Sequence, residues 1–77
     1  MGNRPKCRRI WALWKSGVIQ ACEINGHPLG YEVRFYEHGE LLVSHVHETV
    51  ALAEIEANER KCELVAQGWI DKPQIPA

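Results

Sequence analysis

From Arg9 to Glu48 the apolar positions fall in short runs with a period of two, and beyond Glu48 their spacing changes. From Arg9 to Lys15 both alternate sets are apolar, Ile10, Ala12 and Trp14 against Trp11 and Leu13, which is the pattern of a strand covered on both faces. Ser16-Gly17 supplies a turn. Val18 to Ile24 sets Val18, Gln20, Cys22 and Ile24 against Ile19, Ala21 and Glu23, a second strand expected to stop at the turn-and-loop cluster 25–30. Tyr31 to Glu37 is the cleanest strand signal, with Tyr31, Val33 and Phe35 on one face and Glu32, Arg34 and Tyr36 on the other. His38-Gly39 makes a short hairpin connection, and Leu41 to Val46 returns antiparallel.

From Thr49 to Gln67 the period is helical. At about 100° per residue, Val50, Ala53, Ala57 and Leu64 form one stripe and Ala51, Ile55, Cys62, Val65 and Ala66 a second. Together they span an arc of roughly 220°, about twice that of an ordinary surface helix. Glu56, Glu59, Arg60, Glu63 and Gln67 fill the remaining side, read here as the wet one. Thr49 is placed to cap the start through its hydroxyl. Gly68 suits the left-handed position after the helix, with Trp69 folding back on Leu64.

The predicted architecture is α+β, a four-stranded antiparallel meander followed by one C-terminal helix (ββββα). Residues 1–8 read as a flexible basic arm, 9–69 as a single domain and 70–77, with Pro73 and Pro76, as a tail. At 77 residues the core supplies only a few kcal/mol, so oligomerisation is a natural further source of stability. The doubly apolar helix and first strand point the same way, and a homodimer or higher assembly is expected.

Charge and cysteine usage narrow the classes. The net charge is −1, yet the first fifteen residues hold Arg4, Lys6, Arg8, Arg9 and Lys15 without an acid, leaving −6 for the rest. Basic residues around Trp11 and Trp14 are a pattern that grips phosphates and stacks bases. The near-neutral total and the acidic helix argue against nucleic acid, and pairing of the basic arm with a neighbouring subunit's helix explains the same residues. Cys7, Cys22 and Cys62 are odd in number and form no C-x-x-C pair, so neither a disulfide framework nor a structural zinc site is expected. With no long apolar run and no charged start before an apolar stretch, the expectation is a cytoplasmic protein without a membrane segment.

The layout Trp11-x-x-Trp14-Lys15-x-Gly17, the Gly39-Glu40-Leu41 hairpin, and a helix with Ala53, Ala57, Arg60 and Leu64 ending in Gly68-Trp69 resembles short uncharacterised bacterial proteins. Proteins of that kind are carried as mobile, integron-type gene cassettes. The resemblance implies the order of elements and no activity, cofactor or site residue.

Chemical candidates are few. His45-x-His47 puts two imidazoles on one strand face, with His38 or Glu48 as a conceivable third ligand, but that spacing is common on solvated strands and no metal is expected. Ser44 neighbours His45, yet adjacent strand residues point to opposite faces, so the pair makes no nucleophile and base. Cys22 and Cys62 fall on apolar positions, where an inert thiol is the rule. Glutamates 23, 32 and 37 read as solvating carboxylates, and 26–30 lacks the spacing of a phosphate loop. No catalytic residue, cofactor or metal is therefore assigned. The expected function is that of a non-enzymatic interaction protein, with subunit or partner contact through Trp11, Leu13, Trp14, Ile55, Cys62, Val65, Ala66 and Trp69. The alternative is a binding module for a small apolar ligand or a partner protein, using Trp11, Trp14, Tyr36 and Trp69, or, less favoured, a nucleic-acid-binding protein using the basic N-terminal segment.

Overall fold

The computed structural model describes residues 8–71. Its elements are β1 (Arg8–Lys15), β2 (Val18–His27), β3 (Gly30–Glu37), β4 (Glu40–His47), α1 (Val50–Ala66) and β5 (Ile70–Asp71). The strands form one antiparallel sheet in the order β4-β3-β2-β1-β5, with α1 laid on one face. This is the expected α+β meander with a helix, plus a two-residue edge strand.

Beyond one-residue extensions of β3 and β4, three boundaries differ from the sequence expectation. Strand β2 continues through Asn25 and Gly26 to His27, so the predicted six-residue loop is a two-residue connection in which His27 pairs with Gly30. The ladder to β3 satisfies the backbone of 25–27, which outweighs the turn preference of Asn and Gly. Arg8, assigned to the arm, opens β1 opposite Ile24; Ile70 and Asp71, assigned to the tail, pair with Trp14 and Leu13. The rest of the arm and tail, 1–7 and 72–77, lie outside the described residues.

Ser16 and Gly17 both have positive φ, 51° and 81°, and so do His38 and Gly39, 51° and 82°. These are the backbone signs of a two-residue type I′ turn, whose twist matches that of the strands it joins. The two outer hairpins therefore use the same device.

Helix α1 is closed at both ends as its sequence suggests. The Leu52 amide donates to the Thr49 hydroxyl oxygen at 3.2 Å. At the other end Gly68 N–H donates to Val65 O and Trp69 N–H to Leu64 O, both at 3.0 Å, with Gly68 at φ 100°. That bond pair is a Schellman motif. Lys15 from β1 adds a 2.6 Å bond to the Gln67 carbonyl, a cation where the helix dipole is negative.

The core lies between α1 and the sheet: Trp11, Leu13, Cys22, Ile24, Val33 and Phe35 from strands, Ala53, Ala57 and Leu64 from the helix. The small Ala53 and Ala57 let the helix axis approach the large rings beneath it. Trp11 and Phe35 pack with centroids 6.2 Å apart and planes at 43°, a tilted arrangement favoured by the ring quadrupoles. Leu13, Val33 and Leu64 are fully buried, each worth about 1.5–3 kcal/mol of hydrophobic stabilisation.

Candidate functional site: the uncovered sheet face

Because alternate strand residues face opposite ways, the side turned from α1 is fixed by the register. Leu41, Tyr36, Ala21 and Ala12 lie in one cross-strand row, and Ile19, Trp14 and Ile70 in the next. These seven residues make a continuous apolar area at the end of the sheet that carries the Ser16-Gly17 and His38-Gly39 turns. Trp14 is 39% exposed, Leu41 53% and Ile70 53%. No described element covers them.

The other half of the same face is polar apart from Val46 at its corner. Arg9, Glu23, Arg34 and Ser44 make an alternating row, with Arg9 3.5 Å from Glu23. Arg34 lies 3.0 Å from Glu32. Hydrogen bonds to Tyr36 and Glu32 push the Arg34 guanidinium up from its ordinary value, and the bond from Arg34 holds the Glu32 carboxyl below its own. Asn25 Nδ2 and Arg34 Nε are buried donors without an acceptor among the described residues. An apolar half bordered by charges resembles the core and rim of a protein interface.

On the opposite face, His45 and His47 of β4 both reach Glu56 of α1. His45 Nδ1 is 2.6 Å from Glu56 Oε2, and His47 Nε2 is 2.7 Å from Oε1. Burial works to raise the Glu56 pKa, and the two imidazoles outweigh it, so the carboxyl sits below its ordinary value. Each imidazole takes a separate oxygen, and among the described residues no group of three or more His, Cys, Asp or Glu side chains is placed to hold a metal ion. Neither His38, in the turn before β4, nor Glu48 joins the pair. Glu56 was missed because it was read as part of the wet side. Its position next to the Ala53/Ala57 stripe, three residues after Ala53, was the available signal.

The expected contact residues divide. Trp11 and Leu13 are 6% and 0% exposed, under their own helix, so they offer nothing to a partner. Trp11 instead donates its indole N–H to the Ala57 carbonyl. Trp69 is half-buried against the core. Trp14, Ile55, Cys62, Val65 and Ala66 are exposed, the last four on the outer side of α1. Sequence reasoning overlooked Ile19, Leu41 and Ile70, whose place beside Trp14 depends on register. Of the basic residues, Arg9 and Lys15 have partners within the chain, while Arg4 and Lys6 fall outside the described residues.

Cys22 is buried and Cys62 exposed, both as free thiols. Burial first, then the charges of Glu56 and Glu23, push the Cys22 thiol up to about 12. It is no nucleophile. None of the described helices is long and apolar enough to cross a membrane.

No family model, curated protein or solved structure matches the chain.

Proposed function

We propose that this is a small non-enzymatic interaction protein that works as a homodimer or higher assembly, joined through the uncovered half of its sheet. The observation that carries this reading is the apolar area formed by Ala12, Trp14, Ile19, Ala21, Tyr36, Leu41 and Ile70. A two-fold pairing of this face would bury it against itself and surround it with the Arg9, Glu23 and Arg34 charges, which favour the correct orientation more than they add affinity. The outer stripe of α1, Ile55, Cys62, Val65 and Ala66, is a second apolar surface and supports assembly beyond a dimer. Cytoplasmic location belongs to the same proposal, supported by the free Cys22 and Cys62. Origin in a bacterial gene cassette rests on the sequence resemblance alone.

Sedimentation equilibrium tests the reading. The wild-type protein is expected to self-associate at micromolar concentration, and Trp14→Glu to weaken this at least about tenfold, as removal of a buried aromatic anchor does. A wild type that stays monomeric at several hundred micromolar overturns it. The same face suits an apolar ligand or another protein, because Trp14 and Tyr36 combine wide apolar surface with polar tips. That alternative gains if the monomer is stabilised by an apolar compound in a thermal-shift screen and Trp14→Glu abolishes the shift.

A further inference from the structure

Among the described residues, strand β4 forms one edge of the sheet and pairs only with β3. Edge strands carry a row of backbone donors and acceptors ready to pair with another chain, and natural edges are normally shortened, covered, bulged, or guarded by charged residues or Pro. β4 is eight residues long and contains no Lys, Arg or Pro; its guards are one acid, Glu40, and one bulge, at Leu42. Its Leu41, Leu42, Val43 and Val46 are all exposed. The opposite edge differs: β5 has two residues, which pair with Leu13 and Trp14, and its Asp71 lies 3.7 Å from Lys61.

The order of residues in β4 is complementary to itself when reversed. Register with β3 places Leu41, Ser44 and Val46 on the open side of the sheet, and Glu40, Val43, His45 and His47 on the helix side, with a bulge at Leu42. Set two copies antiparallel about a two-fold through Ser44. Ser44 then meets Ser44 of the second copy, and Val43 meets His45. Beyond the bulge, Leu41 meets Val46 and Glu40 meets His47. Every pair lies on one side of the sheet, as cross-strand pairing demands. This register requires Leu42 to bulge against the second copy as it does against β3, since counting it in the ladder would set Leu41 against His47 across the two faces. His47 keeps Glu56 on Nε2, leaving Nδ1 for Glu40 of the second copy. The apolar ends match, and an acid meets an imidazole at both extremities.

We infer that β4 is a self-pairing edge whose partner is β4 of a second copy of this chain, antiparallel about Ser44, joining two five-stranded sheets into one of ten strands. The inference rests on the self-association reading but uses the β4 edge, which meets the Trp14 face only at Leu41. With both contacts two-fold, it supplies the second interface that a closed tetramer requires.

Cysteine cross-linking tests it. In a background carrying Cys7→Ser and Cys62→Ser, Ser44→Cys places two thiols across the two-fold, while Val46→Cys faces Leu41 of the second copy. Under mild oxidation Ser44→Cys is expected to form disulfide dimers roughly tenfold faster than Val46→Cys, because only the former brings its Cβ atoms within disulfide reach. Val46→Cys with Leu41→Cys should restore fast cross-linking. Adding Trp14→Glu to Ser44→Cys leaves the cross-link in place. If the wild type self-associates but Ser44→Cys cross-links no faster than Val46→Cys, the edge pairing is wrong and the sheet-face reading stands. Cross-linking that vanishes with Trp14→Glu also overturns edge pairing. A monomeric wild type with no cross-link removes both.

Discussion

The indole nitrogen of Trp11 and the backbone carbonyl of Ala57 are 2.8 Å apart, a buried hydrogen bond linking residues 46 positions apart in sequence. It ties the first strand to the middle of the helix and fixes the orientation of the largest core ring. Trp11→Phe keeps most of the apolar contact and removes the donor. The expected loss is about 1–2 kcal/mol, from the bond and from the smaller ring, read from the urea midpoint by far-ultraviolet circular dichroism. Ala57→Leu forces the helix away from the sheet and is expected to cost about 1–3 kcal/mol by overpacking.

Glu56 gives stability a defined dependence on pH. Its folded pKa is lowered relative to the unfolded chain, so its contribution is complete above the ordinary carboxylate value and is lost as pH falls through the folded value. Glu32, also lowered beside Arg34, adds to the same acid loss. The discriminating quantity is therefore the difference between wild type and Glu56→Gln. Thermal melts should give about 1 kcal/mol at neutral pH for this partly exposed group, shrinking towards zero in acid. A constant difference across that range would contradict the His45–Glu56–His47 arrangement.

The two described cysteines are expected to differ in chemistry. Exposed Cys62 should react with a thiol reagent within minutes at pH 8, whereas Cys22, buried and pushed up to about 12, should react only as the protein unfolds. Peptide mapping after brief labelling checks this and separates both from Cys7. Rapid labelling of Cys22 in the native protein would mean that α1 opens readily from the sheet.

Gly30 has φ 141°, and a Cβ placed there would collide with the carbonyl oxygen of His47. Here β4 passes close to the start of β3 just before the helix begins. Gly30→Ala is expected to destabilise by about 1–3 kcal/mol through backbone strain and displacement of His47. Its thermal midpoint, compared with that of Leu29→Ala at the exposed neighbouring position, provides the check.

Much of the fold was legible because it follows from local rules. Period-two alternation marked the strands, X-Gly pairs the outer hairpins, and Gly68-Trp69 the helix stop. Ala53, Ala57 and Leu64 were legible as the stripe facing the sheet. The extension of β2 was not, because its ladder with β3 overrides the turn preference of Asn25-Gly26. The use of Trp11 was also hidden: alternation places it opposite Ala12 but does not say which face the helix takes. The Glu56 clasp and the Leu41–Tyr36–Ala21–Ala12 row needed register between elements distant in sequence.

Element order has a consequence for the chain while it is being made. All four long strands precede α1, so at ordinary rates of synthesis they are complete for about one to four seconds before Ala66 is added. Until α1 docks, Leu13, Cys22, Val33 and Phe35 have no cover, and the side that will hold the core is as bare as the side with Trp14. A sheet that forms before the helix is therefore open on both faces. The window closes only when the last turn of α1 is in place.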